Sequence, residues 1–179
     1  MEIHSMTHSS RKIYLSELNN TPLGDLRLVA SDAGLLAVEW ADSQADLDAL
    51  LQRLGHQLEV SDAKLKPYAK EILEYLKGKR REFTFPIDWE SLRPFQRKAL
   101  KAVFKIPYGQ IRTYAEIAAK IGHPNASRAM GRANATNPMP LVIPCHRVIG
   151  TDGKLHGYGG GNGLPTKRWL LKMEGVQGF

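Results

Sequence analysis

A chain of 179 residues with a single cysteine, Cys145, can form no internal disulfide and cannot build a metal staple from two thiolates. It has to fold on a hydrophobic core, and its length suits one large domain or two small ones. The lone thiol lies in Leu141-Val142-Ile143-Pro144-Cys145-His146-Arg147-Val148-Ile149-Gly150, an apolar run broken by a proline and followed by an imidazole and a guanidinium. A cysteine in such a run is commonly a buried, inert filler. The other reading is a nucleophile, since a neighbouring base or positive charge raises the reactive thiolate fraction. Adjacent residues on a helix or strand point apart, so direct cooperation of Cys145 with His146 requires Pro144 to turn the chain there. Otherwise the imidazole has to reach the thiol through water.

The net charge of +7 is unevenly spread. Up to Leu92 there are 11 Lys+Arg against 15 Asp+Glu, a net −4; from Arg93 onward there are 14 against 3, a net +11. So basic a half fits a polyanion, the alternative being a solvated basic face. Residues 1–10 have neither the apolar stretch of a secretory signal nor the arginine-rich character of a transit peptide, and read as a loose terminus. No apolar run approaches the roughly 20 residues of a membrane span, so no membrane partner and a cytoplasmic or nucleoid-associated location are expected.

The first half alternates short β-rich segments with turns. Ile13 to Leu18, Asp25 to Ala30 and Leu35 to Trp40 are separated by Asn19-Asn20-Thr21-Pro22 and Ser31-Asp32-Ala33-Gly34, which predicts an antiparallel meander. Leu47, Leu50, Leu51 and Leu54 recur at helical spacing until Gly55, Leu58 to Val60 reads as one more strand, and a second helix starts at Pro67 and stops at Gly78. Phe83 to Trp89, carrying Pro86, reads as a linker.

After the linker, Pro94 opens a helix through Phe95, Leu100, Val103 and Phe104, ended by Pro107-Tyr108-Gly109. Thr113-Tyr114-Ala115-Glu116 is a capping box for a further helix; Gly122-His123-Pro124-Asn125 is a turn, and another helix starts at Ala126. Helix, short glycine-containing turn and helix outline a helix-turn-helix unit, an outline that any αα-hairpin shares. Ala126, Ala129, Gly131 and Ala133 allow the last helix close approach, either to a core neighbour or to the minor groove of DNA, where Arg128 and Arg132 are better placed. Gly157-Tyr158-Gly159-Gly160-Gly161 is a flexible loop without the context of a phosphate cradle. Glu174 closes the final helix from Pro165, where its charge opposes the dipole. It is either an ordinary surface residue or held there by a partner.

Pro144-Cys145-His146-Arg147-Val148, Arg128-Ala129-Met130-Gly131, Asn137-Pro138, Tyr158 with its glycines, and Trp169-Leu170-Leu171 with Glu174-Gly175 resemble the O6-alkylguanine-DNA alkyltransferases. The resemblance is specific over about residues 92 to 175 and looser before, where Thr21-Pro22-Leu23-Gly24 and the strands fit. It implies an α+β chain: a ribonuclease-H-like α/β domain over 11–82, a linker at 83–91, and a winged-helix-like domain over 92–179 carrying the helix-turn-helix and the cysteine.

The resemblance further implies DNA repair by direct reversal. Cys145 takes the alkyl group from O6 of guanine, with O4-alkylthymine a related substrate, in one irreversible displacement after base flipping. His146 takes the thiol proton through a water and Glu174 orients it, while Asn137 ties the two helices of the unit to the thiol turn. Arg128 enters the duplex as the base leaves; Ser127, Ala129, Gly131 and Arg132 line the DNA surface, and Tyr114 presses on a phosphate or donates to the base. The base pocket is Tyr114, Pro140, Cys145, Val148, Tyr158 and Gly159. Gly159 stands where many relatives have serine, and Asn134 where some have a larger apolar residue. The partner implied is double-stranded DNA with alkylated bases, bound through the minor groove by a monomer, with cooperative binding along the strand open. Zinc sites of some relatives need cysteines that this chain lacks, so no metal and no cofactor are expected. Two other classes remain: a silent lesion binder, which would replace the cysteine, and a cysteine hydrolase, which would turn over repeatedly.

Overall fold

The computed structural model describes residues 12–42, 48–49, 52 and 58–179. The loose terminus and the helix expected through Leu47, Leu50, Leu51 and Leu54 lie outside the described residues.

Strands β1 (Ile13–Thr21), β2 (Gly24–Ser31) and β3 (Gly34–Trp40) form the expected antiparallel meander, and β4 (Leu58–Val60) joins β1 in parallel, giving the order β3-β2-β1-β4. Side chains alternate between faces, so Leu26, Leu28 and Ala30 point to the main core while Val29 joins Ile13, Leu36 and Ala37 on the other side. A register shift at Val29/Ala30 breaks the alternation in β3 and lets both Leu35 and Val38 face the main core.

Helix α1 (Asp62–Leu76) covers that sheet through Leu65, Ile72, Tyr75 and Leu76. Each fully buried aliphatic side chain contributes about 1.5 to 3 kcal/mol. The helix starts five residues before Pro67, which sits inside it. The expectation of a start at Pro67 fails because burial of Leu65 carries the helix backwards across the missing proline N–H.

The segment 83–91 is bound to the sheet edge. Leu35 N–H donates to Pro86 O and Asp88 N–H to Leu35 O, each at 2.9 Å, and Ile87 bridges Leu35 in parallel. The approach is close enough that a Cβ on Gly34 would lie 2.6 Å from Pro86 O, at a φ of +140°. Only glycine satisfies both demands. Ser31 Oγ donates to the buried Asp88 at 2.6 Å.

Helices α2 (Pro94–Phe104), α3 (Tyr114–Lys120), α4 (Ser127–Ala135) and α5 (Leu164–Met173) make the second half. The capping box at Thr113 and Glu116 is formed, each reaching the other's backbone N–H. Between α4 and α5 the chain passes a one-turn 3-10 helix at Cys145–Arg147 and strand β6 (Val148–Ile149), which pairs in parallel with β5 (Arg112–Thr113). One continuous core runs through both halves, from Leu28, Leu65 and Tyr75 to Leu100, Ile117, Met130, Ile143 and Leu170.

Candidate active site

Pro144 does turn the chain. Cys145 opens the 3-10 turn, with its N–H on Ile143 O at 2.7 Å and the N–H of Arg147 on Pro144 O at 2.9 Å. Just before it, Leu141 adopts a left-handed φ of 73° while fully buried. Packing holds that unfavourable conformation in place. The thiol is 4% exposed and forms the floor of a cavity of about 780 Å³. Asn134, Asn137, Pro140 and Gly159 to Gly161 line it from the carboxy-terminal half, Val38, Glu39 and Trp40 from β3, and Asp42 from the turn after it.

His146, adjacent to the thiol, is fully buried and points its Nε2 at Glu174 Oε1, 2.9 Å away. That carboxylate, at the C-cap of α5, also accepts from the Arg147 guanidinium (Nη2 at 2.8 Å, Nε at 2.9 Å), from Gly109 N–H at 3.1 Å and from Tyr75 OH at 2.6 Å. Burial works to raise the Glu174 pKa, but hydrogen bonds from His146 and Arg147 and their charges hold it well below the usual carboxylate range. Partners inside the fold therefore offset its poor position at the helix end. Burial pushes the His146 pKa down against the pull of Glu174, so the imidazole is neutral at pH 7. Its Nδ1 is buried without a hydrogen-bond partner among the described residues.

Burial pushes the Cys145 thiol up, countered by a hydrogen bond from Asn137 and by the Lys167 charge. Asn137 Nδ2 also donates to Ile143 O at 2.9 Å, while its Oδ1 accepts from Met139 N–H at 3.0 Å. These bonds shape the turn that carries the thiol. Next to Asn137, Gln96 Nε2 donates to Thr136 O at 2.9 Å and joins α2 to the end of α4. Pairing of β5 with β6 brings Tyr114, at the start of α3, beside the turn, and desolvation raises its pKa.

Three residues had no sequence signal for what they do. Tyr75 reads as one more core aromatic on α1, yet its hydroxyl lies 3.2 Å from His146 Nε2 as well as on Glu174. Lys167 is fully buried, and its Nζ donates to Val148 O at 2.7 Å and His156 O at 3.0 Å. Burial lowers its pKa to about 8, against the attraction of Cys145. Arg147 is spent on Glu174, so the positive neighbour of the thiol is Lys167. Asn134, the departure noted on α4, donates its Nδ2 to Cys145 O at 3.1 Å.

On α4, Met130, Ala133 and Asn134 face inward, whereas Arg128, Ala129 and Arg132 are exposed and Ser127 and Gly131 half-buried. A Cβ added to Gly131 would meet nothing within 4 Å. Internal packing therefore does not require glycine at 131, and Ala129 beside it is exposed.

A sheet-and-helix domain backing a helix-turn-helix domain, with a buried lone thiol beside a carboxylate-held imidazole, defines a two-domain DNA-binding cysteine protein. Residues 94–176 match the 6-O-methylguanine DNA methyltransferase, DNA binding domain, and residues 14–89 match the ribonuclease-like domain of the same family. The chain belongs to the 6-O-methylguanine DNA methyltransferases, which repair O6-alkylguanine by moving the alkyl group to a protein cysteine. It is 37% identical over 158 residues to the methylated-DNA–protein-cysteine methyltransferase of Methanosarcina barkeri (88% of this chain, 95% of that one) and 37% over 166 residues to that of Salmonella typhimurium (90% and 95%). Among solved structures, the Mycobacterium tuberculosis O6-methylguanine methyltransferase superposes with a TM-score of 0.74 at 35% identity, over 90% of this chain and 92% of that one. The same mycobacterial protein in complex with DNA gives 0.72 at 34% identity, over 91% and 92%.

Proposed function

We propose that Cys145 is the residue alkylated, that His146 is its base, and that the lesion reaches it as a flipped nucleotide. The sulfur attacks the alkyl carbon in line, the carbon–O6 bond breaks, and guanine leaves with its electron pair and takes a proton. The thioether that forms has no route back, so each molecule acts once.

The observation that carries this reading is the set of buried polar atoms without partners around the lone thiol. Asn134 Oδ1 and His146 Nδ1 are such atoms, and the Tyr158 hydroxyl beside them is engaged by the Cys145 thiol itself. Buried polar groups are nearly always satisfied, so a cluster of exceptions beside a nucleophile suits a polar, planar guest. His146 Nδ1 has the lone pair to take the thiol proton through one bridging water, because Nε2 is committed to Glu174 and Tyr75. Asn137 and Lys167 stabilise the thiolate that results. The Val148 carbonyl, beside the bond it accepts from Lys167, faces the base edge, while the Cys145 carbonyl is taken by Asn134 and the Val148 N–H; Tyr158 and the Gly159 amide close the other side, and Pro140 lines the cavity.

A base inside a duplex is out of reach of this thiol, and extrusion costs a few kcal/mol, least at a damaged pair. Arg128 occupies the gap left behind. Ser127, Ala129, Gly131 and Arg132 meet the minor groove, whose width admits a helix face of small residues, and Tyr114 guides the rotating nucleotide. The protein acts as a monomer, in the cytoplasm, on O6-alkylguanine, with O4-alkylthymine a second substrate of the same reaction.

Duplex bearing labelled O6-methylguanine tests the reading. One label per protein, carried on the peptide with Cys145, is expected; repeated turnover would make it a hydrolase, and binding without transfer a lesion reader.

A further inference from the structure

Part of the wall of the cavity that holds the thiol comes from the ribonuclease-like domain. Strand β3 ends at Trp40, and its neighbour Val38 donates its N–H to Pro138 O at 2.9 Å, one residue from Asn137. The Trp40 indole is fixed from behind, Nε1 donating to Leu23 O at 3.0 Å in the β1–β2 turn. In front, it lies against the backbone of the glycine-rich loop. A Cβ on Gly160 would sit 2.6 Å from Trp40 Cη2, and one on Gly161 2.9 Å from its Nε1. On the other flank, a Cβ on Gly159 would meet Ala135 O, at the end of α4, at 3.2 Å. The loop that presents Tyr158 and Gly159 to the base is thus held between an indole and a helix end, and both glycines under the indole lack side chains where a side chain would not fit.

We propose that Trp40 sets the size of alkyl group that Cys145 can accept, by fixing how far the Gly159–Gly161 loop stands from the thiol. The inference rests on the alkyltransferase reading for its substrate, but not for its geometry. The indole is rigid, anchored at one end and pressed on backbone at the other, so the gap does not widen by a rotamer change. An adduct larger than methyl has to displace the loop against it. Replacing the indole with a small side chain gives the loop room to recede, which favours bulky groups over methyl.

Single-turnover transfer from O6-methylguanine and O6-benzylguanine in the same duplex is measured for the native chain, Trp40→Phe and Trp40→Ala. In parallel, Cys145, the only cysteine, is labelled with iodoacetamide and with N-benzyl iodoacetamide in the absence of DNA. The benzyl-to-methyl rate ratio is expected to rise by roughly tenfold in Trp40→Ala, the scale of hydrophobic-pocket discrimination, with Trp40→Phe between. The bulky-to-small labelling ratio moves the same way. Unchanged ratios in both assays, whatever the absolute rates, overturn the inference. A labelling ratio that rises while no alkyl group moves from DNA in any variant upholds Trp40 as the limiting wall and instead removes the alkyltransferase reading. Should Trp40→Ala fail to fold, Trp40→Phe carries the same comparison.

Discussion

Tyr75 and Glu174, 99 residues apart and on different domains, meet at 2.6 Å through the phenol and Oε1. Burial first, then the charge of Glu174, raises the Tyr75 pKa well above its ordinary value, so the phenol keeps its single proton and gives it to the carboxylate. What Tyr75 turns toward His146 Nε2 is then a lone pair, and Glu174 presents another. With acceptors on both sides, Nε2 carries the imidazole proton and Nδ1 is left with a free lone pair. Helix α1 of the amino-terminal domain thereby helps choose the tautomer that the proposed mechanism requires of His146.

Tyr75→Phe removes that donor and leaves the ring. Stability is expected to fall by about 1.5 to 3 kcal/mol, the range for a hydrogen bond to a charged group. The rate of transfer is expected to drop by roughly tenfold, since a poorly held general base forfeits part of its contribution. Chemical denaturation and single-turnover kinetics check the two. An unaltered rate would confine the tyrosine to packing.

Glu174 makes a stability signature in acid. Its folded pKa is depressed below that of the unfolded chain, near 4.3, so the stability it confers is complete above that pH and disappears as pH falls through the folded value. His146 acts in the same sense at higher pH: its depressed pKa means that folding is weakened as pH drops below about 6.5, where the unfolded imidazole takes up its proton. Glu174→Gln should cost about 3 to 5 kcal/mol at pH 7, because Arg147 is left buried and without its carboxylate. It should also flatten the acid limb below about pH 4.3. Urea midpoints from pH 3 to 8 report both, and an unchanged acid limb would show that the carboxylate is not held as described.

Lys167 is the charge that favours the thiolate, and it titrates within reach. The ionisable groups around the thiol are Lys167, Tyr158 and Tyr114, with His146 beside it and Arg147 and Glu174 behind. With its pKa lowered to about 8, Lys167 is charged at pH 7 and loses that charge as pH rises through about 8. Lys167→Met keeps the stem, removes the charge and frees Val148 O. Labelling of Cys145 by iodoacetamide at pH 7 should slow several-fold, because less of the thiol is ionised once the charge is gone. A pH–rate curve identical to that of the native chain would limit Lys167 to holding the loops together.

Periodicity and turn chemistry made the outline legible: the meander, the capping box at Thr113, and the turn at Pro144 all follow local rules. Local rules failed at Pro67, where burial of Leu65 from a distant sheet extended the helix, and at 83–91, where a turn-rich apolar segment docks on β3 through backbone bonds that no side-chain pattern announces. In the site, adjacency picked out His146, and helix-dipole logic picked out Glu174 as a residue in need of a partner. Tyr75, Trp40 and Lys167 were illegible because their roles are set by tertiary contact. A buried lysine bonded to two carbonyls reads, in sequence, like any surface lysine of a basic half. Arg147 shows the converse: its position beside the thiol suggested activation, while its guanidinium is committed to Glu174.

Arg128 separates action on a duplex from chemistry at the thiol. It is exposed on α4, away from the inward face of Met130, Ala133 and Asn134, and the thiol's own partners do not include it. If it fills the stack as the base departs, its loss makes extrusion harder and leaves the reaction of a base that needs no extrusion untouched. Arg128→Ala is expected to slow transfer from O6-methylguanine in duplex by about tenfold to a hundredfold, in keeping with a few kcal/mol of unstacking to be offset. Transfer from free O6-benzylguanine should change by less than about twofold, since binding and chemistry at independent sites are additive. Both rates are read on the same protein preparation, so a misfolded fraction lowers them together. Equal losses on duplex and free base would place Arg128 in support of the fold and leave the flipped nucleotide without its plug.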